Sequence, residues 1–258
     1  MTEPFPVLDH PGPLAFAHRG GASEVPENTM AAFQHAVDLG FDYLETDVHV
    51  TRDGVLLAFH DQVLDRVSDR GGAIAELTHA EIGEALVGGR ERVPTIGELL
   101  EAFPHARFNI DLKSDGAVAP LAELVATREL WDRILVGSFS PRRLRAFRRL
   151  TRGRVPTSGH PLEVLAFRAL PSGRLADRLT GGRVAALQVP HTRGRWTVAT
   201  AGLVRRAHAA GKHVHVWTID DPDEMRELLD RGVDGLMTDR TDILKSVLTE
   251  RGQWRNES

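Results

Sequence analysis

His18 and His60 flank a segment, Leu44-Glu45-Thr46-Asp47-Val48, in which two carboxylates sit two residues apart among apolar and β-branched neighbours. In a strand, the period of two puts Glu45 and Asp47 on one face. Side by side they repel, and one must take up a proton unless a cation neutralises the pair. A hard divalent cation held by oxygen ligands resolves that conflict, and histidines beside it supply acid–base work. The pattern is that of an enzyme centre. The chain has no cysteine and no Gly-x-Ser-x-Gly elbow, so neither a thiol nor an elbow serine is indicated as nucleophile.

The elements that must position these groups follow from hydrophobic periodicity. Short apolar runs at 14–18, 43–48, 107–112, 134–136, 155–158, 184–189, 213–218 and 235–237 read as strands. Helical patterns at 29–39, 96–103, 118–128, 142–150, 162–170, 198–210, 223–230 and 242–248 alternate with them. Such alternation predicts a single-domain α/β TIM-type (β/α)8 barrel, whose chemistry lies at the C-terminal ends of its strands. A further strand at 55–59, after the Arg52-Asp53-Gly54 turn, should carry His60 back to the rim. The barrel domain is expected over 13–250, with an N-terminal extension at 1–12 and a C-terminal tail at 251–258.

At 258 residues the chain is long enough for one such barrel, and 41% hydrophobic content supports a real core. A net charge of −4 lacks the basic excess of a nucleic-acid binder. No window approaches the roughly 18 apolar residues of a membrane span, and no signal peptide is visible, so a cytoplasmic protein without stable membrane insertion is the expectation. The arginine-rich run from Arg142 to Arg154 carries Leu144, Phe147 and Leu150 at helical spacing. That stripe should pack on the barrel and leave the arginines solvated, with docking on an anionic membrane as the alternative. Oligomeric state cannot be read from the pattern.

Ala17-His18-Arg19-Gly20, Pro26-Glu27-Asn28-Thr29, Glu45-Thr46-Asp47-Val48, Thr51-Arg52-Asp53-Gly54 and His60-Asp61 occur in that order. Val93-Pro94-Thr95-Ile96-Gly97-Glu98, Asp111-Leu112-Lys113, Ser138-Phe139, Val216-Trp217-Thr218 and Thr238-Asp239 continue the series. Together they resemble the glycerophosphodiester phosphodiesterase family over nearly the whole chain. The resemblance implies a phosphoric diester hydrolase that releases glycerol 3-phosphate and an alcohol from a small glycerophosphodiester, with a divalent cation, Mg²⁺ or Ca²⁺. It matches His18 and His60 to the acid–base pair, and implies attack by the glycerol 2-hydroxyl through a cyclic phosphate. Which histidine is acid and which is base stays open.

Asp111 completes a three-carboxylate set with Glu45 and Asp47, a hard-oxygen environment for Mg²⁺ or Ca²⁺. The family more often has glutamate at this place, and aspartate is one methylene shorter. Arg19 and Lys113 are the candidates for holding phosphate charge, the first as a fork and the second as a point charge. Glu27, in the Pro-Glu-Asn motif, is a candidate for the metal or a substrate hydroxyl, while Asn28 reads as a helix N-cap. The resemblance sets Trp217 against the substrate's alcohol portion, and Phe139 is a candidate for the pocket wall. Two alternatives remain: phospholipase D-like action on lysophospholipids, which needs an apolar groove or docking face beside the site, and a silent phosphodiester-binding domain.

Overall fold

The computed structural model describes residues 5–23 and 25–254. Seven parallel strands lie side by side in the order Ile134–Gly137, Arg107–Leu112, Tyr43–Val50, Leu14–Ala17, Gly235–Thr238, His213–Trp217, Ala186–Pro190. The remaining gap, between the first and last of these, is closed by residues 157 and 158. Thr157 bridges Val136 and Ser158 bridges Ala186, both in parallel sense. The expected fifth strand is therefore two isolated bridges rather than a strand. Pro156 has no N–H to extend a ladder; its carbonyl accepts from Val136 at 3.1 Å. The result is a single-domain TIM-type barrel with helices outside.

Alternation sorts the strand residues. Leu44, Val48, Phe108, Ile110, Val136, Val214 and Leu236 pack outward in one large buried cluster with the helices. Tyr43, Leu135 and Met237 instead join Val7, Leu8, Leu14, Phe16 and Ala185 in a separate buried cluster. The short turn Pro6–Leu8 thus plugs one end of the barrel, and Tyr43 Oη donates to the Val7 carbonyl at 2.8 Å. Above this plug the interior is polar: Gln188 Nε2 donates to Asn109 Oδ1 at 2.9 Å, and His215 is fully buried beside Phe16. At the C-terminus Trp254 packs edge-on against Phe41, ring centres 5.1 Å apart. Parts of the expected extension and tail, residues 1–4 and 255–258, lie outside the described residues.

The helices start where their caps dictate. Thr95 and Glu98 form a reciprocal capping box on Ile96–Ala102, and Pro141, Pro161 and Pro222 each open a helix at the first turn, where a missing N–H costs nothing. Two expectations are corrected. Leu150 is 51% exposed; the third inward position on Pro141–Leu150 is taken by Arg148, buried in an ion pair with Glu163. A helix over Gly173–Leu179 was not expected; it falls between the expected helix at 162–170 and strand at 184–189. Gly173 is there for close approach: a Cβ would lie 1.7 Å from the Arg206 carbonyl oxygen.

The strand Leu56–Ala58 runs antiparallel to the end of Tyr43–Val50, as the hairpin reading expects. The segment that follows builds a small core of its own from Leu57, Phe59, Leu64, Ile74, Ile82 and Val87. That core holds the connection carrying His60 against the barrel mouth.

Candidate active site

His18 is the first residue beyond the strand Leu14–Ala17 and opens the turn His18–Gly20. Arg19 adopts φ 51°, an uncommon conformation for a non-glycine residue. Two bonds hold it: its N–H donates to Glu45 Oε2 at 3.1 Å, and its carbonyl accepts from Asn28 N–H at 2.8 Å. Gly20 follows at φ 85° against helix Met30–Asp38, where a Cβ would come within 2.7 Å of Ala32. The strained turn fixes the direction of the His18 ring. Its Nδ1–H donates to Asp239 Oδ1 at 2.8 Å, leaving Nε2 3.9 Å from Glu45. Burial pulls the imidazole pKa down, but the Asp239 hydrogen bond and the charges of Glu45 and Asp239 outweigh it, and the net direction is upward.

His60 is built the same way on the opposite side. Its Nδ1–H donates to Asp61 Oδ1 at 2.6 Å. Burial alone would raise the Asp61 carboxyl, yet hydrogen bonds from Arg66 and His60 hold it below the usual range. His49 bonds the His60 carbonyl through Nε2 at 3.1 Å, so the face it shares with Asp47 serves to seat the loop that carries His60. Each histidine thus has one nitrogen tied to a carboxylate and the other available, the layout of an oriented general acid or base.

Between the histidines lie the carboxylates, Glu45 4% and Asp47 2% exposed. Asp47 pairs across the strands with Asp111. Lys113 Nζ stands between them, 3.0 Å from Asp47 and 2.6 Å from Asp111. Arg19 Nε is 3.2 Å from Asp47 Oδ2, the same oxygen that accepts from Asn28 Nδ2 at 3.2 Å, while Lys113 takes Oδ1. Burial works to raise the Asp47 pKa, but the charges of Lys113 and Arg19 hold it down. Glu45 has no lysine or arginine side chain in such contact among the described residues. Burial and then the charge of Asp47 push its carboxyl upward, outweighing the opposing pull of His18, 3.9 Å away, and of Lys113.

Glu45 and Asp47 therefore form a buried, hard-oxygen pair with one member only partly compensated, which fits a divalent cation. Asp111 is engaged by Lys113, and among the described residues no group of three or more His, Asp or Glu is gathered tightly enough to hold a metal as it stands. Glu27 lies with the cations rather than the carboxylates: it takes Arg19 Nη1 at 3.0 Å and both terminal nitrogens of Arg66. Trp217 and Phe139 meet edge-to-face at 5.7 Å, with Lys113 Nζ 6.0 Å from the Phe139 ring. Every candidate residue thus reaches the same end of the barrel.

Three contributors have roles that the sequence did not assign to them. Asp239 is 221 residues from the histidine it orients, and Arg66 lies in a segment without a motif. Asn28 is not the cap; Thr29 is, accepting from Ala32 N–H at 3.2 Å. Asn28 instead is buried at φ 55°, accepting from Thr46 Oγ1 at 2.8 Å and donating to Asp47.

The fold and site define a barrel with paired histidines and carboxylates gathered at the C-terminal ends of its strands. The model of the glycerophosphoryl diester phosphodiesterase family matches residues 18–243, and the chain belongs to that family. It is 43% identical over 251 residues to "Probable glycerophosphodiester phosphodiesterase 2" of Mycobacterium tuberculosis, covering 96% of this chain and 95% of the other. A human protein named a lysophospholipase D is 30% identical over 275 residues, covering 90% and 85% of the two chains. Among solved structures, an Oleispira antarctica phosphodiesterase in complex with the product sn-glycerol-3-phosphate superposes with a TM-score of 0.78 at 25% identity, over 92% of this chain and 97% of that one. A glycerophosphodiester phosphodiesterase from Agrobacterium tumefaciens gives 0.72 at 25% identity, over 89% and 97%.

Proposed function

We propose that the chain hydrolyses glycerophosphodiesters to glycerol 3-phosphate and an alcohol. The observation that carries this reading is the pair of histidines, each with Nδ1 bonded to a carboxylate, facing a buried carboxylate and cation cluster. One histidine takes the proton of the attacking hydroxyl and the other gives a proton to the departing alkoxide, a leaving group too poor to go alone. With the glycerol 2-hydroxyl as attacker, a cyclic phosphate forms first and water then opens it, the histidines exchanging roles. Lys113 has three N–H donors and commits two to Asp47 and Asp111, leaving one for a phosphoryl oxygen. Arg19, fixed by its backbone, adds the second cation.

Glu45 and Asp47 are the residues assigned to a divalent cation, Mg²⁺ or Ca²⁺, with Asp111 as the third oxygen donor. Bound there, it supplies Lewis acidity to the phosphoryl oxygens. Phe139 and Trp217 wall the alcohol side, and Glu27 holds Arg19 in line. A cytoplasmic location belongs to the same reading and is checked by cell fractionation. The test is release of glycerol 3-phosphate from glycerophosphocholine and glycerophosphoethanolamine with Mg²⁺, Ca²⁺ or a chelator. Release that needs the cation supports the assignment; none from either substrate overturns it. A second reading, action on lysophospholipids, is favoured by the human relative's name.

A further inference from the structure

Gly137 ends its strand where three side-chain oxygens from neighbouring barrel positions converge. A Cβ there would stand 3.2 Å from Gln188 Oε1, 3.3 Å from Ser158 Oγ and 3.4 Å from Asp111 Oδ1. Asp111 pairs with Gly137 on one side, and Ser158 and then the strand of Gln188 follow on the other, so the four residues span adjacent positions of the wall. Leu187 and Val189 pack outward with the helices, which turns Gln188 into the barrel. Gln188 is only half-buried there. With Pro6–Leu8 plugging the far end, its exposure comes through the mouth that holds the histidines.

The Gln188 amide is held in one orientation. Its Nε2 donates to Asn109 Oδ1 at 2.9 Å and lies 3.4 Å from His215 Nδ1. Burial pushes the His215 pKa down to about 3, so that ring is neutral and has an acceptor nitrogen to offer. Both amide hydrogens are thereby engaged, and Oε1 has no partner among the described residues. Ser158 Oγ, on a residue 4% exposed, has none either. Buried polar atoms are normally satisfied, so an acceptor and a hydroxyl that face one open space ask for a ligand. Asp111 Oδ2 meets Lys113 at 2.6 Å, which puts the space one carboxylate away from the ammonium assigned to a phosphoryl oxygen. Phe139 and Trp217, two residues beyond Gly137 and His215, meet at its outer side with ring centres 5.7 Å apart. Because Lys113 already neutralises the carboxylate, the space does not select a cation. A neutral group that donates once and accepts once fits it, and that group is a hydroxyl.

We propose that Gln188 and Ser158 read a substrate hydroxyl that takes no part in the reaction, and so determine which glycerophosphodiesters the site prefers. The proposal rests on the hydrolase reading above. The hydroxyl donates to Gln188 Oε1 and accepts from Ser158 Oγ–H, in room that only glycine at 137 leaves. It can come from the terminal carbon of the glycerol half or from a polyol as the alcohol half. The test is kcat/KM for glycerophosphocholine, for its propane-1,2-diol analogue and for glycerophosphoglycerol, in the wild type, Ser158→Ala and Gly137→Ala, each checked for folding by circular dichroism. The analogue keeps the 2-hydroxyl and lacks only the terminal one. Two neutral hydrogen bonds, at about fivefold each, give the wild type a preference of about 25-fold for the substrate that carries the hydroxyl. Ser158→Ala, whose lost oxygen has no protein partner, should lower that preference to about fivefold, and Gly137→Ala, which fills the space, should bring it near unity. A preference for glycerophosphocholine over the analogue that collapses in this way assigns the glycerol half. One for glycerophosphoglycerol over glycerophosphocholine that collapses assigns the alcohol half. Ratios that neither variant changes, as for a space that holds only water, overturn the proposal. A wild type that turns over none of the three refutes the hydrolase reading. Calorimetric affinities for glycerol 3-phosphate and propane-1,2-diol 1-phosphate then decide the subsite by themselves, and equal values overturn it.

Discussion

Asp61→Asn is a one-atom change with a derivable consequence. Both carboxylate oxygens of Asp61 are acceptors, Oδ1 from His60 Nδ1–H at 2.6 Å and Oδ2 from Arg66 Nε–H. An asparagine offers one acceptor and one NH₂ donor, so whichever way it turns a donor faces a donor. Arg66 cannot give up its proton, and it also grips Glu27. The amide oxygen therefore stays with Arg66 and the NH₂ group faces His60. Nδ1 must then accept, the ring proton moves to Nε2, and the working nitrogen has the wrong tautomer. The charge-assisted bond lost is worth about 1.5–3 kcal/mol, so kcat should fall about 10- to 150-fold, with KM nearly unchanged. The assay is steady-state release of glycerol 3-phosphate from glycerophosphocholine. Adding Arg66→Ala to the variant frees the amide to turn its oxygen back to His60, and part of the rate should return. A kcat within twofold of wild type, or a loss confined to KM, would refute the tautomer argument.

Three further outcomes follow. Arg148 bonds Glu163 at 2.7 and 3.1 Å, Thr157 at 2.7 Å and the Ser158 carbonyl at 3.1 Å, all buried where the barrel is closed by bridges alone. Arg148→Ala should cost about 3–5 kcal/mol, near 6–10 °C in Tm, and Arg148→Met/Glu163→Leu less, because no charge is stranded; calorimetry showing less than ~1 kcal/mol for Arg148→Ala contradicts this. The Asp234 hydrogen bond, at 2.8 Å, raises the His208 pKa against a smaller effect of burial. Its stabilisation is complete below the unfolded pKa and is lost as pH rises through the folded one, so His208→Gln should destabilise at pH ~6 by less than about 1 kcal/mol, given its exposure, and not at pH ~9. Urea titrations giving one difference at both pH values rule it out. Glu45→Gln should raise the cation concentration for half-maximal rate about tenfold or more, and an unchanged value removes Glu45 from the cation site.

What was legible depended on how local the physics was. Glu45 and Asp47 declare their common face through the strand period, and the hairpin after Asp53-Gly54 delivers His60 because turn and strand are contiguous. Asp239 was not legible as the partner of His18, since only barrel closure brings the last strand beside the first. The fifth barrel position reads as a strand by hydrophobicity, while Pro156 withholds the N–H that a strand would need there. Arg148 looks like one more solvated arginine in a basic run, and only the facing Glu163 gives its guanidinium a reason to be buried. The short helix Gly173–Leu179 was not expected, and its first residue has to be glycine for the helix to touch the backbone of Arg206. Asn28 reads as the cap, but Asp47 and Thr46 on the strand Tyr43–Val50 engage its side chain, and Thr29 caps the helix instead.

The central claim is that two oriented histidines carry proton transfer at a phosphodiester. Its most direct test is kcat on glycerophosphocholine for His18→Ala and His60→Ala, each confirmed as folded by its circular dichroism. The account requires a fall of about 10²- to 10⁴-fold in each variant, the usual worth of a positioned acid or base. Near-normal turnover in either would take that histidine out of the mechanism and break the paired-histidine reading of the site.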